Sequence, residues 1–345
     1  MRLTVGGQAE VLVLTQDFDP TVDPVVRSLT AKGARVVRVD TSYFPRSLSF
    51  TTSDFDGADR AVMRHHDGEI DREIDLRALA GVWYRRPTAF DFGEEMGEAE
   101  REFARHEALH GIGGILRSTD CLWMNRPDLD AVADLKPYQL KLAKEAGLRV
   151  PRTLLTNDPD EVARLVKQEG EGSLVYKSLS GGVVHYPGAF PSGLYTAVLG
   201  EEIHDHLPRV RHTLCQFQEY IEKAYEVRLT IIGDAYFPVV IDSQGAERTR
   251  IDWRADTELR YGDYRPLPED VVRRTQALMD RLGLVYAAVD FIVTPDGEHV
   301  FLESNPNGQF MWMQNDLGLP LGDRIADLLM RGGPFRRGEV EQVGY

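Results

Sequence analysis

The stretch that most constrains this chain runs from Tyr286 to Gly308. Residues 286–293 form an apolar, β-rich run, Pro295-Asp296-Gly297 is a turn signal, and residues 299–303 make a second short strand. The segment therefore reads as a hairpin. Side chains alternate along a strand, so Glu303 and Asn305 share one face. Pairing near Val293 and Val300 brings Asp290 to that face as well. Two carboxylates and an amide oxygen converging in this way form a hard, all-oxygen site. Such a site suits Mg²⁺, which takes one or two carboxylates and completes its shell with water and phosphate oxygens. A hairpin with a merely polar solvent face would carry the same letters, so the rest of the chain has to decide between the two readings.

Length and charge narrow the class. With 345 residues, 42% of them hydrophobic, the chain can build two or three α/β domains. A formal net charge of −15 without a long basic run argues against nucleic acid as a partner. Cys121 and Cys215 are isolated and lack metal-type spacing, as expected of buried thiols in a reducing compartment. The N-terminus has no basic region followed by a long apolar core, and no apolar run approaches the roughly 20 residues of a membrane span. A cytoplasmic protein with no membrane partner is the expectation.

Along the chain, residues 10–15 (EVLVLT) are a buried-strand run, 24–32 a helix ending at Gly33, and 35–39 a second strand. This β-α-β order predicts a small N-terminal α/β domain. Gln16-Asp17-Phe18-Asp19 follows the first strand where a glycine-rich phosphate loop would stand, which disfavours a dinucleotide fold. Val82-Trp83-Tyr84-Arg85-Arg86-Pro87 reads as a strand ending in two cations, either surface charge or an anion-binding pair. A long helix is expected over 94–116. A further helix carries Leu129, Val132, Leu135, Lys136, Leu140 and Leu142 and stops at Gly147. Residues 173–177 form a strand ending in Lys177, followed by Ser178-Leu179-Ser180-Gly181-Gly182. A strand-end lysine beside a small-residue turn can reach phosphates while backbone N–H groups approach them. Residues 214–220 (LCQFQEY) and 235–241 are strands, and 268–283 is an amphipathic core helix. A last helix is expected over 323–330, and the segment from Phe335 is expected to be mobile. His185 and His204 are lone loop histidines, read as solvated bystanders.

Each signal is modest alone, but their order resembles the ATP-grasp superfamily over roughly residues 123–333. The series is Lys136, Lys177, Glu219-Tyr220-Ile221, Glu226, Arg228, then Asp290 and Glu303-x-Asn305, with Glu219 seven residues before Glu226 and Asp290 thirteen before Glu303. The resemblance implies an α/β protein whose two α+β lobes hold ATP between them, behind an N-terminal pre-ATP-grasp domain. The implied division is 1–122 for that domain, 123–211 for the central lobe, 212–334 for the C-terminal lobe with the metal site, and 335–345 for a tail. It implies that Lys136 and Lys177 contact the ATP phosphates and that Glu219 accepts from the adenine amino group beside the Tyr220-Ile221 backbone. Glu226 would hold the ribose hydroxyls, and Asp290, Glu303 and Asn305 would bind two Mg²⁺ ions. Arg228 and Arg254 would steady the γ-phosphate or an acyl phosphate, with Arg254 outside the nucleotide pocket. Phosphoryl transfer asks the protein for positioning and charge neutralisation rather than covalent chemistry, which this set supplies.

Trp83-Tyr84-Arg85-Arg86-Pro87, Trp123…Asn125-x-Pro127, Asp252-Trp253-Arg254 and Asn305-Pro306-Asn307-Gly308-Gln309 with Trp312 extend the likeness to the ribosomal peptide maturases, the graspetide or microviridin-type macrocyclases. Pro306-Asn307-Gly308 after Asn305 fits that branch better than the ribosomal-protein glutamate ligases. The implied activity joins Asp or Glu side-chain carboxylates of a precursor peptide, with leader and core, to Thr/Ser hydroxyls or Lys amines. The resemblance allows a homodimer. Two other readings stand beside it: another ATP-grasp carboxylate–amine ligase, acting on glutamate or an amino acid, and an ATP-binding module without ligase activity.

Overall fold

The structure is a computed structural model that describes residues 8–55, 59–66, 68, 71–184, 186–188, 190, 192–255 and 261–344. His185 lies outside the described residues. In the N-terminal part, β1 (Glu10–Thr15) leads through α1 (Asp23–Ala31) to β2 (Arg35–Val39). Pro24 sits in the first turn of α1, where its missing N–H costs nothing. An antiparallel meander of β3 (Leu48–Ser53), β4 (Arg60–His66) and β5 (Asp71–Asp75) then intervenes, which the periodicity did not announce. β6 (Leu79–Arg86), α2 (Glu98–Arg117) and β7 (Leu122–Met124) complete a parallel sheet of order β2-β1-β6-β7. Val11 to Leu14 are fully buried because both faces of this sheet are covered, and the run is correspondingly apolar throughout. The sheet reaches Met124, two residues past the expected boundary.

The helix expected over Lys136 is two helices, α3 (Pro127–Ala133) and α4 (Lys136–Glu145). Pro137 explains the break: proline is tolerated in the first turn of α4 but would disrupt the interior of one continuous helix. Lys136 thereby becomes the first residue of a helix. Next come β8 (Thr153–Thr156), α5 (Pro159–Glu169), β9 (Leu174–Lys177), a two-residue hairpin of β10 (Val183–Val184) and β11 (Ser192–Gly193), β12 (Ala197–Val198), α6 (Ile203–His206) and β13 (Cys215–Glu219). They build an antiparallel sheet of order β12-β9-β13-β8. β13 lies beyond residue 211 yet belongs to this sheet.

The last sheet contains β14 (Tyr225–Ile232), β15 (Ala235–Ile241), α7 (Glu269–Leu282) on one face, and the hairpin β16 (Tyr286–Val293) and β17 (His299–Asn305). α8 (Met311–Leu317) and α9 (Leu321–Met330) follow, and α9 returns to pack on the N-terminal sheet. The segment expected to be mobile is instead docked. Arg337 donates to Asp280 (2.6 Å) and to the carbonyls of Gly233 and Leu284 (2.9 Å each), and β18 (Glu341–Gln342) pairs in parallel with β15. One guanidinium satisfies two loop carbonyls, which composition alone does not show. Among the described residues, no helix is long and apolar enough to cross a membrane.

Candidate functional site

The metal-type hairpin forms, but its register is not the simple one. Ile292 faces Val300 and Phe291 faces Phe301; then one residue is inserted, and Asp290 faces Glu303, Val289 Ser304 and Ala288 Asn305. Without this bulge, Asp290 would oppose Leu302 and Glu303 would point into the core with Phe301. With it, Leu302 and Glu303 both line the same cleft. Gln139 on α4 fixes the result. Its amide accepts from the Ser304 N–H (2.9 Å) and donates to the Ser304 carbonyl (2.6 Å), clamping the residue between Glu303 and Asn305. Gln139 carries no sequence signal beyond a polar letter within an apolar pattern.

The cleft lies between the β8-β9-β13 sheet and the β14–β17 sheet. It encloses about 620 Å³, open solvent at its mouth included. Lys177, Gln218 to Ile221 and Thr196 line one side, and Glu226, Asp290, Ile292, Leu302 and Glu303 the other. Ile221, Ile292, Val300 and Leu302 make a small apolar floor, fit for the face of a planar ring. Beside it, Lys136 and Lys177 both stand 3.4 Å from Glu303, and Arg254 stands 3.8 Å from it. Burial alone would raise the Glu303 carboxyl, but Lys177, Lys136, Arg254 and Arg228 outweigh it and hold the group well below the usual carboxylate range. Arg228 Nη1 reaches both oxygens of Asp290 (2.8 and 2.7 Å), and Asn305 bridges Lys136 (3.4 Å) and Asp290 (3.3 Å).

The cleft thus gathers Lys177, Glu219, Tyr220, Ile221, Glu226, Arg254, Asp290 and Glu303 in its lining, with Lys136, Arg228 and Asn305 bonded to those carboxylates. Two expectations need correction, those for Arg254 and for the Arg85-Arg86 pair. Arg254 is in the cleft wall rather than outside the nucleotide pocket. Asp252, nearly buried, accepts from Arg254 Nε (2.9 Å) and Nη2 (3.0 Å) and from the Thr196 N–H (3.1 Å), which folds the 252–254 turn over the opening. Burial works against the Asp252 charge, but the pairing with Arg254 brings its carboxyl down to about 2. Glu219 does not present an unengaged carboxylate. Arg152 donates to it from Nε (2.6 Å) and from its backbone N–H (3.1 Å), and Arg149 stands 3.5 Å away. The Arg85-Arg86 pair is not a surface anion site: Arg85 is only 2% exposed and is spent on the turn after Asn305, while Arg86 is exposed.

Lys223 was not legible either. Its buried ammonium donates to buried Glu226 (2.8 Å) and to the Ile251 carbonyl (2.9 Å). Burial still keeps the Glu226 carboxyl above its ordinary range despite Lys223. His204 pairs with Glu171 on the surface, away from the cleft. Among the described residues, no group of three His, Cys, Asp or Glu side chains stands ready to hold a metal ion. The candidate set of two carboxylates and one amide nevertheless suits a hard divalent cation, since all its donors are oxygens and no thiol or imidazole intrudes.

Comparison with known proteins agrees with this geometry. Residues 10–130 match the family described as the MvdD pre-ATP grasp domain. Over the whole fold, the chain is similar to a Chryseobacterium gregarium RiPP-associated ATP-grasp ligase solved with ADP and a leader and core peptide. The identity is 28%, coverage is 93% of this chain and 96% of that one, and the TM-score is 0.82. It is also similar to two macrocyclases of Microcystis aeruginosa. MdnC, solved with its precursor peptide MdnA, is 28% identical with TM-score 0.78, and MdnB is 29% identical with TM-score 0.71; each alignment covers 93% of this chain and 99% of the other. No curated protein matches the chain. Pre-ATP-grasp sheet, two-lobed cleft and whole-chain likeness together make this chain similar to the RiPP-associated ATP-grasp ligase and to the two macrocyclases.

Proposed function

We propose that the protein is a cytoplasmic, ATP-dependent macrocyclase that activates Asp or Glu side chains of a precursor peptide and joins them to Thr/Ser hydroxyls or Lys amines. One observation carries the reading: an apolar floor for a ring and a dense cation–carboxylate cluster stand beside one another in one cleft. ATP bound there would rest its adenine on Ile221, Ile292 and Leu302, against the Tyr220-Ile221 backbone. Glu219, held in place by Arg149 and Arg152, would accept from the adenine amino group with a remaining lone pair. Glu226, steadied by Lys223, would take the ribose hydroxyls. Lys136 and Lys177 would bind the phosphates.

Asp290, Glu303 and Asn305 would hold Mg²⁺, which would supply charge neutralisation for the β- and γ-phosphates. The low pKa of Glu303 keeps it an ionised oxygen donor at any physiological pH. A substrate carboxylate oxygen attacks the γ-phosphorus, the bond to the bridging oxygen breaks, and ADP leaves with that electron pair. The acyl phosphate is then attacked at carbon by a hydroxyl or amine; phosphate departs and the nucleophile gives up its proton. Arg228 and Arg254 flank this end of the cleft and would hold the anionic oxygens of the transferring phosphoryl group. Catalysis in this scheme is positioning and charge, with no protein nucleophile.

Mass spectrometry tests the reading. With ATP, Mg²⁺ and the short Thr- and Glu-rich peptide encoded beside this gene, each ring formed removes one water and releases one ADP. A mass gain on the peptide would make the protein an intermolecular carboxylate–amine ligase instead. ATP binding without turnover on any such peptide would leave only a nucleotide-binding module.

A further inference from the structure

The turn after Asn305 is held by groups that the chemistry itself does not need. Asn125 Nδ2 donates to the Pro306 carbonyl (3.1 Å), and the Tyr286 hydroxyl donates to the Gly308 carbonyl (2.7 Å). Arg85 Nη1 donates to the Asn307 carbonyl (2.6 Å) and Nη2 to Gln309 Oε1 (3.0 Å), which also accepts from Thr21 (3.3 Å). Asp130 accepts from Asn307 Nδ2 (2.7 Å). The Gly308 N–H closes the turn onto the Asn305 carbonyl (3.1 Å), so a displacement at residue 307 is felt at 305. Arg85 comes from β6 and Asp130 from α3, and neither lines the cleft.

These grips are energetically expensive. Arg85 is 2% exposed and Asp130 7%. Arg85 Nε has no partner, and burial pushes the Asp130 carboxyl up to about 7 against hydrogen bonds from Asn125 and Asn307. Apolar side chains of similar volume would join the N-terminal sheet to the C-terminal lobe at lower cost. They could not fix the direction of a turn, which two directional grips on one asparagine can.

We propose that Arg85 and Asp130 are positioning residues for the metal-binding asparagine. By gripping Asn307 from two sides they fix the 305–309 turn, and through it the Asn305 amide and the Arg228 guanidinium that lies against Gly308. This inference rests on the assignment of Asn305 to the metal. It gives the pre-ATP-grasp sheet a part in catalysis without contact with nucleotide or peptide.

The test is Mn²⁺ binding to the ADP complex of the full chain, read by electron paramagnetic resonance, beside ADP affinity without metal. Arg85→Met and Asp130→Leu should each weaken Mn²⁺ by about tenfold or more, as loss of a supporting shell does, with metal-free ADP affinity within about twofold. Arg85→Lys should fall between. Asp130→Asn keeps an oxygen for Asn307 and discards the buried charge, so it should retain Mn²⁺ affinity and unfold at no lower temperature. If Asp130→Leu does not fold, Asn307→Ala cuts the same link from a half-buried position and should show the same loss, while Arg85→Lys carries the test for Arg85. Unchanged Mn²⁺ affinity in Arg85→Met and Asp130→Leu would overturn the proposal, as would an equal fall in metal-free ADP affinity. Failure of the wild-type ADP complex to bind Mn²⁺ would instead overturn the metal assignment beneath it.

Discussion

Gly308→Ala is the sharpest probe of how the site is built. A Cβ at residue 308 would stand 2.3 Å from Ala288 Cβ, 3.2 Å from the Asn305 carbonyl oxygen and 3.3 Å from Arg228 Nη2. Ala288 is fully buried on β16, paired on both sides by β14 and β17, and cannot retreat. Ordinary carbon–carbon contact begins near 3.5 Å, so the turn must move by roughly 1.2 Å. A shift of that size breaks the bonds that Asn125, Arg85 and Tyr286 make to it, all between 2.6 and 3.1 Å. Overpacking of this kind costs about 1–3 kcal/mol. Gly81→Ala is the matched control. Its Cβ would meet the Leu329 carbonyl oxygen at 2.5 Å, between β6 and α9 and far from the cleft, with a similar stability loss. Thermal unfolding should rank the two variants together, whereas metal-dependent ATP turnover should collapse only in Gly308→Ala. Equal turnover in both, or wild-type turnover in Gly308→Ala, would refute the view that the turn sets the site.

Asp290→Asn and Glu303→Gln should abolish ATP turnover while circular dichroism stays native; wild-type rates in either at limiting Mg²⁺ would remove them from the metal set. Arg254→Ala leaves Asp252 without its main partner and should cut product formation more than ADP affinity, and equal loss of both in a binding and turnover assay would make Arg254 a nucleotide contact. Glu303 has a folded pKa below its unfolded value, so its contribution is complete above about pH 4.5 and is lost as pH falls through the folded pKa. Replacing Lys136 and Lys177 with Met removes the two largest causes of that depression and should move the acid-unfolding midpoint, followed by fluorescence, to higher pH; no shift would mean the lysines do not set the Glu303 charge.

Much of this was readable in the letters. The apolar runs at 10–15, 235–241 and 286–293 fold as strands with those bounds, because a run bounded by turn residues admits little else. The charged residues that meet in the cleft carry type and spacing, and the resemblance followed from these. The meander at 48–75 was silent because its half-exposed strands alternate weakly between polar and apolar. Arg85, Gln139 and Asp130 were illegible as site supports, since a polar letter says nothing about which distant backbone group it will meet.

Sequence alone determined most of the elements and the donor types, because these depend on local periodicity and on chemistry that each residue carries with it. The tertiary structure decided the rest. A single inserted residue in the β16–β17 register turned Glu303 out of the core. Asp252 folded Arg254 into the cleft. Arg85 and Asp130, more than 170 residues before Asn307, came to hold the turn after Asn305. Such outcomes hinge on ångström-scale packing between distant segments, and no local pattern encodes them.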